Sequence, residues 1–279
     1  MLSYIGGKSK IGKWIVDYYP TDMETYVETF GGMFWCFFNM DLGKYPNLKQ
    51  VVYNDFNPLN YNLFMCLQNP SELLRAVNNI PCQQQGVSNT PSIYKEQFGV
   101  FQKELFGSGF TINYPDYEVG AKYTYILTQV FSGSKPETSS FIDLKGNYKS
   151  KYLTFRDKLS KPVWLDHFMK ISDFRIGDFE TVINEFDSPT TYFYVDPPYC
   201  KTENYYSNHD FDRNDHERVA KSLTNITGKF SLSYYDFELL HTWFPESEYT
   251  WVRKEFVKAA SATKGKTQNK GEELLIMNY

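Results

Sequence analysis

Apolar residues along the chain gather in short runs that each stop at a polar side chain. Thr25-Tyr26-Val27-Glu28-Thr29-Phe30 leads into Gly31-Gly32, Gln50-Val51-Val52-Tyr53-Asn54 ends in Asp55, and Thr191-Tyr192-Phe193-Tyr194-Val195 ends in Asp196, followed by Pro197-Pro198. Runs rich in β-branched and aromatic residues that halt at turn formers predict strands. Between the first two, Met33 to Leu42 is apolar enough for a buried helix. Strand, helix and strand in that order make the repeating unit of a parallel sheet. Lys229 to Tyr235 predicts a further strand after the helix-like Asp215 to Ile226. Tyr249–Val257 and Leu274–Asn278 read as two more, paired as a hairpin across a long loop.

The middle of the chain has a different pattern. Residues 59 to about 165 carry the apolar Leu63–Leu67 run, a Gln-rich turn at 83–85, and helix-like pieces near 94–106 and 121–130. A polar stretch from Ser132 to Ser150, with Gly133, Pro136 and Gly146, suits a mobile loop or hairpin. The predicted organisation is an α/β domain over 1–58 and 166–279, with a mainly helical domain inserted over 59–165.

Composition narrows the class. With 42% hydrophobic and 22% charged residues the chain has the balance of a soluble globular protein. It contains no apolar run of about 18 residues, and its first residues lack the apolar centre of a signal peptide. Cys36, Cys66, Cys82 and Cys200 form no CxxC pair and no group with His, which argues against zinc and for reduced thiols in the cytoplasm. The net charge of -4 disfavours a nucleic-acid partner, but it hides two basic stretches. One, over 145–170, holds Lys145, Lys149, Lys151, Arg156, Lys158, Lys161 and Lys170. The other, over 253–270, holds Arg253, Lys254, Lys258, Lys264, Lys266 and Lys270. Solvated faces would explain such runs. The interleaved Asn147, Tyr148, Tyr152 and Phe155 also suit phosphate contact and base stacking.

The strongest chemical signal is Asp196-Pro197-Pro198-Tyr199 at the end of a hydrophobic strand. Sites in open parallel sheets lie at the carboxyl ends of strands. An aromatic amine is a poor nucleophile, because its lone pair is delocalised into the ring. A carboxylate from Asp196 and a main-chain carbonyl from Pro197 can each accept one amine hydrogen and favour a tetrahedral nitrogen. The prolines hold both acceptors in place. Tyr199 offers a flat face to an extruded base. The plain alternative is a Pro-Pro turn that ends a strand.

Phe30-Gly31-Gly32 lets a ligand approach the backbone closely, yet GxGxxG is absent, so no pyrophosphate loop is implied. Such a turn suits a ligand without phosphates, such as S-adenosylmethionine. Asp55, 23 residues beyond Gly32, stands where an acid meets ribose hydroxyls. Asp178 and Phe179 offer an acid and a ring to an adenine. Tyr4-Ile5-Gly6-Gly7-Lys8 lacks the spacing and preceding strand of a nucleoside-triphosphate loop.

In this order the motifs resemble the Dam-like family of N6-adenine DNA methyltransferases: Gly-Gly-Lys, Phe-x-Gly, a strand-end Asp, an insertion, Gly-Asp-Phe, then Asp-Pro-Pro-Tyr. The likeness extends to Gly271–Ile276 and is weak over 59–165. It implies a Rossmann-like methyltransferase sheet with an inserted target-recognition domain, S-adenosylmethionine as cofactor, and double-stranded DNA as partner. It implies that Tyr4 and Lys8 touch the cofactor, Phe30 and Gly32 line its methionine end, Asp55 binds its ribose, and Asp178 with Phe179 its adenine. Asp196, Pro197 and Tyr199 would hold the target base, with Asp196 also beside the cofactor. Lys145, Lys149, Lys151 and Arg156 are the phosphate candidates and Asn147 a base-edge candidate. Cytosine N4 or RNA adenine is the nearest alternative target, and an inactive DNA-binding relative the alternative class. Phe34 departs from the family, standing where many members carry a second glycine.

Overall fold

The computed structural model describes residues 2, 7–83, 92–130, 135–143, 150–200, 211–257 and 270–279. The chain divides into two units, one of residues 8–56 and 172–279, the other of residues 1–7 and 57–171.

The first unit is built on seven strands: β1 (Thr25–Glu28), β2 (Gln50–Asn54), β3 (Asp173–Arg175), β4 (Thr191–Val195), β5 (Lys229–Tyr234), β6 (Thr250–Val257) and β7 (Lys270–Met277). Their order is β3-β2-β1-β4-β5-β7-β6. The first five neighbours run parallel, and β7 runs antiparallel to both β5 and β6. The predicted hairpin is therefore β6 with β7. The order reverses between β1 and β4, and in open α/β sheets the crevice at such a reversal receives the ligand. This is the Rossmann-like sheet that the resemblance implied, with the antiparallel β7 set between β5 and the outer strand β6.

Alternation along β4 builds two different core layers. Phe193 and Val195 point into an aliphatic layer with Val27, Val52 and Leu232, packed under α8 (Phe179–Phe186) and α9 (Arg213–Thr224). Tyr192 and Tyr194 point the other way, against Tyr19, whose ring centre lies 4.6 and 5.9 Å from theirs. Tyr26, Phe34 and Phe37 continue that aromatic layer. A strand buried on both faces reads as a continuous apolar run, which is why β4 shows no polar alternation.

The predicted helix over Met33 to Leu42 does not form. Only two short 3₁₀ turns connect β1 to β2, Phe37–Asn39 and Leu42–Lys44. The cause lies at Phe34, whose φ of 55° is left-handed and cannot start an α-helix. Its ring is fully buried between Phe37, Phe38 and Tyr53. A left-handed non-glycine residue costs about 1–2 kcal/mol, whereas losing a buried Phe ring costs about 3–5 kcal/mol. Phe34→Gly should therefore lower stability by about 1–4 kcal/mol despite relieving the backbone. Urea unfolding checks this, and an unchanged midpoint would show that the relieved strain cancels the lost packing.

The second unit is helical: α2 (Pro58–Cys66), α3 (Pro70–Asn78), α4 (Ser92–Phe106), α5 (Tyr117–Gln129), α6 (Lys151–Lys158) and α7 (Pro162–Lys170). α5 is its centre, with ten buried positions. Local chemistry starts these helices: Asn57, Asn69, Asp116 and Ser150 each cap an N-terminus by accepting a backbone N–H. No helix among the described residues is long and apolar enough to cross a membrane.

Candidate active site

The polar ends of β1, β2 and β4 meet along one edge of the sheet in the first unit. Gly31 and Gly32 follow β1, and three contacts from the β2 segment fix their turn. Gly31 N–H donates to the Asn54 carbonyl at 2.7 Å, the Tyr53 hydroxyl to the Gly32 carbonyl at 2.9 Å, and Gly32 N–H to the Asp55 carboxylate at 2.6 Å. Gly32 itself is left-handed, at φ 50°. Asn54 ties the edge together, its side-chain amide donating to the carbonyls of Thr29 and Gly177. Two buried polar atoms here, Thr29 Oγ1 and Asn54 Oδ1, have no hydrogen-bond partner among the described residues.

Asp178 caps α8 with Oδ1, which accepts from Glu180 N–H and from Arg218 at 2.8 Å. Arg218 also reaches Glu180 and Asp215 and lies over the Phe179 ring, 4.8 Å from its centre. These acids hold its guanidinium above its already high pKa. Phe30 packs on Phe179 with ring centres 5.3 Å apart. Sequence reasoning did not single out Arg218, because its partners come from α8 and from its own helix.

At the end of β4 the geometry is tighter. Lys8 Nζ lies 2.7 Å from Asp196 Oδ1, 3.3 Å from Glu273 Oε1 and 2.6 Å from the Tyr199 hydroxyl. It also sits over the Tyr199 ring, 4.7 Å from its centre. The Tyr199 hydroxyl is within hydrogen-bond reach of Asp196 Oδ1, at 3.0 Å, and of Glu273 Oε1. Its ring stacks on Tyr234 and meets Tyr235 edge-on. Lys8 and Tyr199 thus both reach Asp196 through Oδ1.

Burial raises the Asp196 and Glu273 carboxyls above the ordinary range, with Lys8 opposing. A third acid, Glu28 on β1, is buried and accepts from the Tyr26 hydroxyl at 2.5 Å and Phe37 N–H at 3.0 Å. Burial pushes its carboxyl from 4.5 up to about 8. The folded protein then keeps a proton that the unfolded chain releases above pH 4.5, so stability falls as pH rises from there to about 8. Glu28→Gln should flatten this decline, and denaturant midpoints across that window measure it. An unaltered slope would mean that Glu28 ionises normally.

Glu28 and Glu273 were not legible as site residues. Each reads as a polar residue at a strand end, and only strand pairing brings it to Asp196. The available signal was an acid directly beside apolar neighbours, as in Glu273-Leu274-Leu275.

Of the phosphate candidates, Lys151 and Arg156 lie in the helical unit. Lys151 opens α6 and is exposed, while Arg156 is half-buried and pairs loosely with Asp157 at 3.6 Å. Tyr4, Lys145, Asn147 and Lys149 lie outside the described residues.

The family model for D12 class N6 adenine-specific DNA methyltransferases matches residues 4–259. The chain belongs to that family. Among curated relatives, the modification methylase StsI of Streptococcus sanguinis is 24% identical over 242 residues, covering 85% of this chain and 33% of that protein. The Type II methyltransferase M2.HphI of Haemophilus parahaemolyticus is 37% identical over 76 residues, covering 27% of this chain and 21% of that protein. The D12-family chain thus spans a third or less of the length of these relatives. Among solved structures, the rRNA methyltransferase aviRa from Streptomyces viridochromogenes overlays with a TM-score of 0.34 at 12% identity, covering 96% of this chain and 81% of that one. That overlay is too loose to bear on the fold, which the strand order defines.

Proposed function

We propose that this D12-family chain methylates the N6 amine of an adenine rotated out of duplex DNA, with S-adenosylmethionine as donor. The observation that carries the proposal is Asp196 at the end of β4, with Oδ1 reached by both Lys8 and Tyr199. Oδ2 accepts a hydrogen bond from one amine hydrogen and the Pro197 carbonyl accepts one from the other. The pair aims negative charge at a nitrogen that becomes positive during transfer. Tyr199, anchored through its hydroxyl, offers the ring face now under Lys8. Extruding the adenine costs a few kcal/mol, recovered by these contacts.

The edge of β1 and β2 fits the cofactor. Asp55 suits its ribose, Phe179 with Asp178 its adenine, and Phe30 with Gly32 its methionine end. The unpartnered Thr29 Oγ1 and Asn54 Oδ1 mark the edge as polar and unsatisfied. Bound there, S-adenosylmethionine supplies an electrophilic sulfonium methyl. Tyr4 and Lys8 are the proposed N-terminal contacts.

The helical unit is the proposed target-recognition domain. Lys145, Lys149, Lys151 and Arg156 would meet phosphates and Asn147 a base edge. Lys151, at a helix N-terminus, has the backbone N–H groups of α6 beside it for the same anion. Each lost phosphate contact should reduce the slope of log affinity against log salt by about 0.9. Lys151→Ala should show that reduction in a binding titration, and an unchanged slope would remove Lys151 from the interface.

The deciding experiment is transfer of labelled methyl from S-adenosylmethionine to mixed-sequence duplex DNA, followed by nucleoside analysis. Label in N6-methyladenine is expected. Label in N4-methylcytosine, or only with RNA, would overturn the base or the nucleic acid assigned.

A further inference from the structure

Lys8 has two carboxylates within ion-pair reach, and only one of them belongs to the Asp-Pro-Pro-Tyr motif. The other, Glu273, comes from β7, is 1% exposed, and has no role of its own in the proposed reaction. Burying an acid on an interior strand is costly unless it is paired. Glu273 has two partners, Lys8 Nζ at 3.3 Å and the Tyr199 hydroxyl. Both also contact Asp196. Lys8 moreover shares the Asp196 carboxylate that the target amine would use, and its charge covers the Tyr199 ring face proposed for the base.

Lys8 and a base stacked on Tyr199 cannot both occupy that ring face. If Lys8 stays on Asp196, it neutralises the carboxylate just as the attacking nitrogen gains positive charge. We propose that Glu273 is a positioning residue, which takes the Lys8 ammonium when the target amine docks and so leaves the Asp196 charge for the substrate. The move is short, since Lys8 already lies 3.3 Å from Glu273. The Tyr199 hydroxyl, in reach of both acids, keeps the ring fixed while the cation changes partner. This inference rests on the assignment of Asp196 as the amine acceptor.

The test begins with wild-type protein, S-adenosylmethionine and duplex DNA. Failure to form N6-methyladenine there would overturn the assigned reaction itself, before any variant is compared. With turnover established, E273Q should lower kcat by about a hundredfold, the scale for losing one preorganised electrostatic contact. Affinity for S-adenosylhomocysteine and the melting temperature should change little. The groups facing Asp196 are Lys8, Glu28 from β1, Cys36, Tyr194, Tyr199, and Glu273 from β7. With Lys8 retained on Asp196 and one acid removed, the acid limb of the kcat profile should move to lower pH even as the plateau falls.

A second comparison separates this role from a structural one. In a Lys8→Met background there is no cation to relocate, so adding E273Q should cost no more than about threefold, a strong departure from additivity. A kcat for E273Q within about threefold of wild type would overturn the proposal. So would a loss that persists undiminished in the Lys8→Met background, or one that tracks falling cofactor affinity and melting temperature.

Discussion

Asp196→Ala is expected to lower methyl transfer by at least about 10²–10³-fold while cofactor binding largely survives. The size follows from what Asp196 does in the proposed reaction. It supplies a fixed acceptor for an amine hydrogen and a negative charge next to a nitrogen that turns positive, and one such preorganised contact is worth about 10²–10³-fold. Alanine also leaves the Lys8 ammonium without its Asp196 partner, a positive charge near a nitrogen that turns positive. That second effect adds to the first. Cofactor binding should persist because the Asp55, Gly32 and Tyr53 contacts do not involve Asp196. Labelled transfer gives the turnover, and equilibrium binding of S-adenosylhomocysteine gives the affinity. Turnover near the wild-type rate would remove Asp196 from the reaction. Loss of cofactor affinity of the same size would make its role structural.

How far the sequence anticipated this site depends on whether a residue's partner is local. Asp55 and Asp196 were legible because a parallel strand buried on both faces is a continuous apolar run, and the polar residue that ends it lies at the functional edge. The helix caps Asn57, Asn69, Asp116 and Ser150 act on residues two or three positions away, yet only the helical pieces near 94–106 and 121–130 were anticipated, and α3 and α6 were not. β3 was missed because its partner is not local. It has three half-buried residues, two of them charged, and it exists because β2 offers an edge to pair with. The helix expected over Met33 to Leu42 failed because apolar content does not reveal the left-handed backbone at Phe34. Glu28 and Glu273 were missed because their meaning comes from strand order. β1 lies next to β4, β7 lies two strands away, and Lys8 arrives from before the first helix, α1 (Gly12–Val16).

Glycine at position 31 is the other residue whose replacement should have a large effect, although its side chain has no chemistry. A Cβ built there would lie 2.4 Å from the Tyr53 ring and 2.9 Å from the Asn54 carbonyl. Neither neighbour can give way. The Tyr53 ring is fully buried and its hydroxyl is bonded to the Gly32 carbonyl, while the Asn54 carbonyl accepts from Gly31 N–H itself. Overpacking a buried site costs about 1–3 kcal/mol and is relieved by backbone shifts. Any shift here moves the turn that holds Gly32 against Asp55, the pair proposed to line the cofactor. Gly31→Ala is therefore expected to lose about 1–3 kcal/mol of stability and to bind S-adenosylhomocysteine at least about tenfold more weakly, equivalent to about 1.4 kcal/mol. Tyr53→Phe in the same chain should not rescue it, because the clash is with the ring. Tyr53→Leu, which removes the ring atoms in the way, should restore part of the affinity. If Gly31→Ala bound cofactor normally, the turn would be free to move, and the tight packing of Tyr53 under Gly31 would have no bearing on the ligand.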